Sequence, residues 1–175
     1  SAIGGLSSSD PEAAARQIAL MTAGPAKNQA ISDVAQNLAR LNPQAAGDLL
    51  KQQGNPEELG GPMRQLMPVW VNQNANAALQ YANSYEPGKA RDDALQSWVW
   101  SNNSSEPAAL VKVAETITDE NDRTRAISVA AARWMKEDPE AAKNYVQQST
   151  ILSDAEKSRI IEGRGMRGGG RGRGQ

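Results

Sequence analysis

The sequence predicts an all-α protein, a right-handed α-solenoid of about five helical hairpins with a repeat of ~32 residues. Three observations predict it. An Ala-Ala pair returns along the chain as Ala13-Ala14, Ala45-Ala46, Ala77-Ala78, Ala108-Ala109 and Ala141-Ala142, at spacings of 32, 32, 31 and 33. Helix-start signals recur just ahead of the pairs. No stretch alternates polar and apolar residues with the β-branched content of a strand. One hairpin cannot bury its own apolar face, so stability must come from stacking neighbours.

The first helix of each hairpin opens on a cap. Asp10-Pro11-Glu12 precedes the first pair, Asn42-Pro43-Gln44 the second and Asp138-Pro139-Glu140 the fifth. The Asp or Asn oxygen accepts from free N–H groups of the first turn. Proline suits the first helical position because its missing N–H had no partner there. Asn74-Ala75-Asn76 and Ser105-Glu106-Pro107 are degenerate versions of the same frame. One turn beyond the pairs come Gln17/Ile18, Leu49/Leu50, Tyr81/Ala82, Lys112/Val113 and Tyr145/Val146, on the same helix face.

The second helix of each hairpin has a landmark seven residues before the next pair. Leu38, Trp70 and Trp134 fall there; Trp100 lies within a residue of it, with Trp98 half a turn behind. A residue that recurs with the repeat reads as packing, so Trp70, Trp100 and Trp134 are expected in the core. Trp98 is out of register and is the better candidate among the four tryptophans for an exposed contact. In the second repeat Gly60-Gly61-Pro62 opens this helix late, and Pro68 predicts a shortened or kinked helix near Met67-Pro68. Ser153-Asp154-Ala155-Glu156 matches a capping box and starts the last helix, ending near Ile160-Ile161. Turns between helices fall at Gly24-Pro25, Gly54-Asn55-Pro56, Glu86-Pro87-Gly88, Asp119-Glu120-Asn121 and Ser149-Thr150.

Helix pairs of this period with small residues on the first helix resemble the α-solenoid class, nearest in repeat length to tetratricopeptide repeats. The chain departs from that consensus: it lacks the Leu-Gly-x-x-Tyr element and has no Phe. The frame from Trp134 to Ala142 also resembles poorly characterised helical-repeat proteins of planctomycete-type bacteria. The resemblance implies the fold and is nearly silent on function, since such solenoids bind many unrelated partners.

The organisation expected is a flexible leader at 1–9, a helical-repeat domain at 10–162 and a disordered Gly/Arg-rich tail at 163–175. The tail holds seven glycines, four arginines and no acid, and with a formal net charge of −1 overall the remainder carries −5 by subtraction. Arg164, Arg167, Arg171 and Arg173 are the candidate contacts to nucleic acid or to an acidic partner. Arginine donates to phosphates and stacks on bases, while glycine lets the backbone follow an irregular strand. Only Arg167-Gly168-Gly169 forms a full Arg-Gly-Gly triplet, and no aromatic residue is interleaved. A flexible tail, or a tail that contacts another copy's body, is the competing reading.

No enzymatic role is expected. There is no His to serve as general base and no Cys nucleophile. No cofactor or metal is expected either: Asp119, Glu120 and Asp122 lack the glycine and closing Glu of a calcium loop and read as a capping turn. Asn72, Gln73, Asn74, Asn76, Asn102, Asn103, Gln147 and Gln148 are expected on the surface, where amides can pair with a peptide backbone. No apolar run approaches the roughly 18 residues of a membrane span. The chain opens on Ser, its leader does not read as a signal peptide, and any targeting sequence, anchor or further repeat is expected upstream. The function expected is a non-enzymatic scaffold or assembly module with protein partners, including self-association through the solenoid ends. The alternatives are an RNA-binding accessory protein acting through the tail, and a structural protein of the cell envelope or an extracellular assembly.

Overall fold

A computed structural model describes residues 10–163. Every regular element among them is helical. The helices are α1 (Pro11–Ala19), α2 (Pro25–Leu41), α3 (Pro43–Gln53), α4 (Gly60–Asn83), α5 (Lys89–Ser101), α6 (Pro107–Ala114), α7 (Glu120–Glu137), α8 (Pro139–Gln148) and α9 (Asp154–Ile161), with a short 3₁₀ turn at Pro56–Glu58. The described residues divide into two compact units, unit 1 up to Asn103 and unit 2 from Ser104.

In unit 1, α1 starts where the Asp10 side chain accepts from the Ala13 N–H at 2.9 Å. The chain then passes through Gly24, whose φ of 152° suits glycine alone, into α2. A single residue joins α2 to α3. Asn42 closes one helix with its N–H on the Leu38 carbonyl (2.7 Å) and opens the next by accepting from Ala45 N–H (3.0 Å). The helix expected to bend near Met67-Pro68 bends elsewhere. Helical dihedrals continue through Pro68, and the one non-helical residue inside α4 is Asn74 (φ −159°, ψ 94°). Pro68 removes one hydrogen bond, but Leu66, Met67 and Trp70 around it are buried and hold the turn. Asn74 breaks the helix because its side chain caps the segment beyond it, accepting from Ala77 N–H at 3.0 Å. The core of this unit is α2 against α3 and α4, and α4 against α5. Ile31, Val34, Leu50, Met63, Leu66, Leu95 and Val99 fill it. Each such side chain contributes roughly 1.5–3 kcal/mol by leaving water.

In unit 2, α6 packs on α7, α7 on α8, and α9 on both α7 and α8. Asp119 caps α7 by accepting from Asp122 N–H (2.9 Å), and Arg123 Nη1 donates to the carbonyls of Ile117 and Thr118. Asp138 repeats the double duty of Asn42: its N–H meets the Trp134 carbonyl (2.8 Å) and its carboxylate accepts from Ala141 N–H (3.1 Å). Ser153 and Glu156 form the reciprocal capping box at α9. Those bonds from the Ser153 hydroxyl and N–H hold the Glu156 carboxyl below its ordinary range.

The Ala pairs lie in the first turns. Ala14, Ala46, Ala78 and Ala142 are wholly buried, as are Ile18, Leu50, Ala82 and Val146 one turn later. The fourth pair is offset. Ala109 is exposed, and Leu110 and Ala114 take the buried places.

Candidate functional site

Arg164, Arg167, Arg171 and Arg173 lie outside the described residues. Trp98, the candidate for an exposed contact, is buried, and its Nε1–H donates to the Ala75 carbonyl at 2.8 Å. Trp100, expected in the core, is 41% exposed. The reason is helical phase. Trp98 continues the buried face of Ala94 and Leu95, and two residues further on Trp100 has turned about 200° around the helix. Asn102, expected on the surface, is wholly buried, whereas Asn72, Gln73, Asn74, Asn76, Asn103, Gln147 and Gln148 are exposed. Gln73 donates to the Arg40 carbonyl across to α2 (3.3 Å).

The other two tryptophans each meet a tyrosine across a one-residue break. In unit 1 the rings of Trp70 and Tyr81 are 4.9 Å apart and tilted by 38°, and Tyr85 meets Tyr81 edge-on at 5.4 Å. The Tyr81 hydroxyl donates to the Gly47 carbonyl (3.0 Å) and lies 2.6 Å from the Tyr85 hydroxyl. Lys51 closes the far side. Its ammonium is 5.3 Å from the centre of the Tyr85 ring and donates to the Ser84 carbonyl (2.8 Å) and hydroxyl (2.9 Å).

In unit 2 the rings of Trp134 and Tyr145 are 5.7 Å apart and tilted by 33°. The Tyr145 hydroxyl donates to Glu115 Oε1 at 2.8 Å. Trp134 is half-buried. Beside the tyrosine opens a cavity of about 220 Å³, lined by Glu115, Tyr145, Gln148, Ser149, Thr150 and Ile151. Ser149 Oγ shapes its floor by accepting from the N–H groups of Ile151 and Leu152, each at 3.3 Å. The Ile151 side chain is left 36% exposed at the rim.

Burial pushes the Tyr81, Tyr85 and Tyr145 hydroxyls above the ordinary tyrosine range, and for Tyr145 the bond to Glu115 adds to it. A raised folded-state pKa favours the neutral phenol. Its contribution to stability is whole below about pH 10 and is lost as pH climbs through the raised values.

The tyrosines are the residues that sequence reasoning passes over as generic apolar positions. The signal that could find them is the spacing: a tryptophan and a tyrosine eleven residues apart, with an Asn or Asp four after the tryptophan, occurs at Trp70–Tyr81 and again at Trp134–Tyr145. Among the described residues no group of three or more His, Cys, Asp or Glu is arranged to hold a metal ion. None of the helices there is long and apolar enough to cross a membrane. The chain matches no protein-family model, no curated protein and no solved structure.

Proposed function

We propose that this chain is a non-enzymatic protein-binding scaffold made of five tandem two-helix repeats of ~32 residues, stacked as a right-handed solenoid. The observation that carries the reading is the recurrence of buried positions. Residues 14, 46, 78, 110 and 142 are buried, and so are 18, 50, 82, 114 and 146. On the second helices 31, 63, 95 and 127 recur in the same way, as do 34, 66, 98 and 130. The caps follow the same step: Asp10, Asn42, Asn74 and Asp138 share φ between −140° and −159° and ψ between 86° and 94°. On this register Ala109-Leu110, not Ala108-Ala109, is the fourth pair, and the uneven spacings of 31 and 33 become 32. Asn102 takes the place of Leu38, Trp70 and Trp134.

Such repeats expose one helix face of each unit, and stacked faces offer extended surfaces for a protein ligand. The exposed amides Asn72, Gln73 and Asn76 supply polar recognition within unit 1, and Gln147, Gln148 and the cavity supply it within unit 2. Excision of residues 43–74, one whole register, should leave a cooperatively unfolding helical protein, whereas excision of 43–70 should not. For the binding role, the immobilised full chain should retain a protein ligand at physiological salt after all four tail arginines are changed to Gln. The retained ligand should be released by Gln73→Glu with Asn76→Glu. Single-stranded RNA that binds the native chain at that salt, and not the Arg→Gln variant, would replace the scaffold reading with the RNA reading.

A further inference from the structure

The two Trp–Tyr sites differ in what fills the space beside them. On the repeat register, a reading on which this inference rests, Glu115 stands where Lys51 stands, and Ser149 where Tyr85 stands, each two repeats further on. In unit 1 the space next to Tyr81 is filled from within, by the Tyr85 ring and the Lys51 ammonium set 5.3 Å from its centre. In unit 2 a hydroxymethyl replaces the ring, a carboxylate replaces the ammonium, and the cavity of about 220 Å³ opens. A flat group joined to a cation has been taken away, and an anion stands ready to receive one.

We infer that this cavity receives an arginine side chain, supplied by the Gly/Arg-rich segment of the same chain, residues 164–175. Guanidinium is planar, weakly hydrated and able to lie against aromatic rings while donating to a carboxylate. Tyr145 uses one of the roughly four lone-pair sites of the Glu115 carboxylate, which leaves acceptors for the guanidinium. Charge runs the same way: the segment carries four arginines and no acid, against −5 for the rest of the chain. Reach suffices in either direction. The eight residue-to-residue steps from Gly163 to Arg171 span up to about 27 Å, more than the roughly 12 Å length of α9 that intervenes between the Ile151 rim and the start of the segment.

The chain contains no cysteine, so an introduced pair reports proximity without background. Gln148→Cys at the cavity and Gly172→Cys between Arg171 and Arg173 are placed in the full chain, and disulfide formation in a dilute glutathione buffer is timed on non-reducing gels. The expected result is a same-chain disulfide. Adding Glu115→Gln, Ser149→Tyr, or Arg171→Gln with Arg173→Gln should slow it on the order of ten-fold, through loss of local concentration. Thermal melts confirm that each variant folds, and Glu115→Gln, which keeps the size of the side chain, is the arm least prone to unfold the unit. Unchanged rates in the folded variants overturn the inference. A disulfide joining two chains at dilution also overturns it, in favour of a second copy's segment. Failure of the 43–74 excision beside a positive disulfide result would sink the repeat reading alone. A successful excision beside unchanged rates would sink the arginine alone.

Discussion

Unit 1 seals its Trp–Tyr contact and unit 2 leaves one side of it open, although both use the same two residues at the same spacing. The difference lies on neighbouring helices. In unit 1 Gly47 faces the rings so closely that a Cβ there would sit 2.7 Å from Tyr81 Cε2 and 2.9 Å from Trp70 Cζ3. With no side chain in the way, the rings close to 4.9 Å and Tyr81 reaches the Gly47 carbonyl. On the proposed repeat register the same position in unit 2 is the buried Val111; there the rings stand 5.7 Å apart, and the tyrosine turns to Glu115 instead. A pair of aromatic residues thus becomes core or ledge according to the size and charge of what a neighbouring helix offers it.

The largest effects are expected at the tryptophans. Trp70→Ala should cost about 3–5 kcal/mol, as expected for a buried tryptophan. Trp134→Ala should cost about half that, because Trp134 is only half-buried and loses less contact. Chemical denaturation of the full-length variants measures both, and equal losses would mean that the unit 2 ledge is as well packed as the unit 1 core. Next comes Gly47→Ala. An exposed helical glycine gains about 1 kcal/mol on becoming alanine, but here the methyl meets two rings and the net effect should be a loss of about 1–3 kcal/mol. In a Trp70→Ala background that loss should shrink, a coupling that a double-mutant cycle reads directly. The smallest effects concern the helix starts. Asn74→Ala and Asp138→Ala should each cost about 1 kcal/mol. Glu106, which makes no side-chain cap bond to α6, should become stabilising by about 0.5–1 kcal/mol on change to Asp. A neutral Glu106→Asp would show that the backbone there (φ −56°, ψ 135°) holds the carboxylate off the free N–H groups.

Helix content and helix ends are legible in the sequence because they are written locally. Pro-flanked Asp10, Asn42 and Asp138 and the Ser153 box each act within four residues of themselves. Phase is less legible. At the fourth Ala pair alanine identity misses the buried position by one residue, since Ala109 is exposed and Leu110 buried; alanine is common and says little about burial, and Pro107, fixed at the first helical position, is the better marker of the helix start. Trp98, the candidate for exposure, is buried and Trp100, expected in the core, is exposed for a related reason: size suggests a slot, but the 100° step per residue decides which of two tryptophans faces inward. The cavity is not legible at all. It depends on Glu115, at the end of α6, meeting Ser149, at the end of α8, and only the fold brings them together.

The single-residue breaks at Asn42, Asn74 and Asp138 set a rule for how this chain can vary in length. One residue serves both as the end of one helix and the start of the next, so there is no slack to absorb an insertion or a deletion. A residue gained there would turn the following helix by about 100°, swinging Ala46 and Leu50, or Ala142 and Val146, away from their neighbours. The turns at 20–24, 84–88, 115–119 and 149–153 each hold five residues outside the helices, and the stretch at 102–106 holds five as well. Length differences among relatives, and loops grafted by design, belong at those places, while the other three breaks keep the reading frame of the packing.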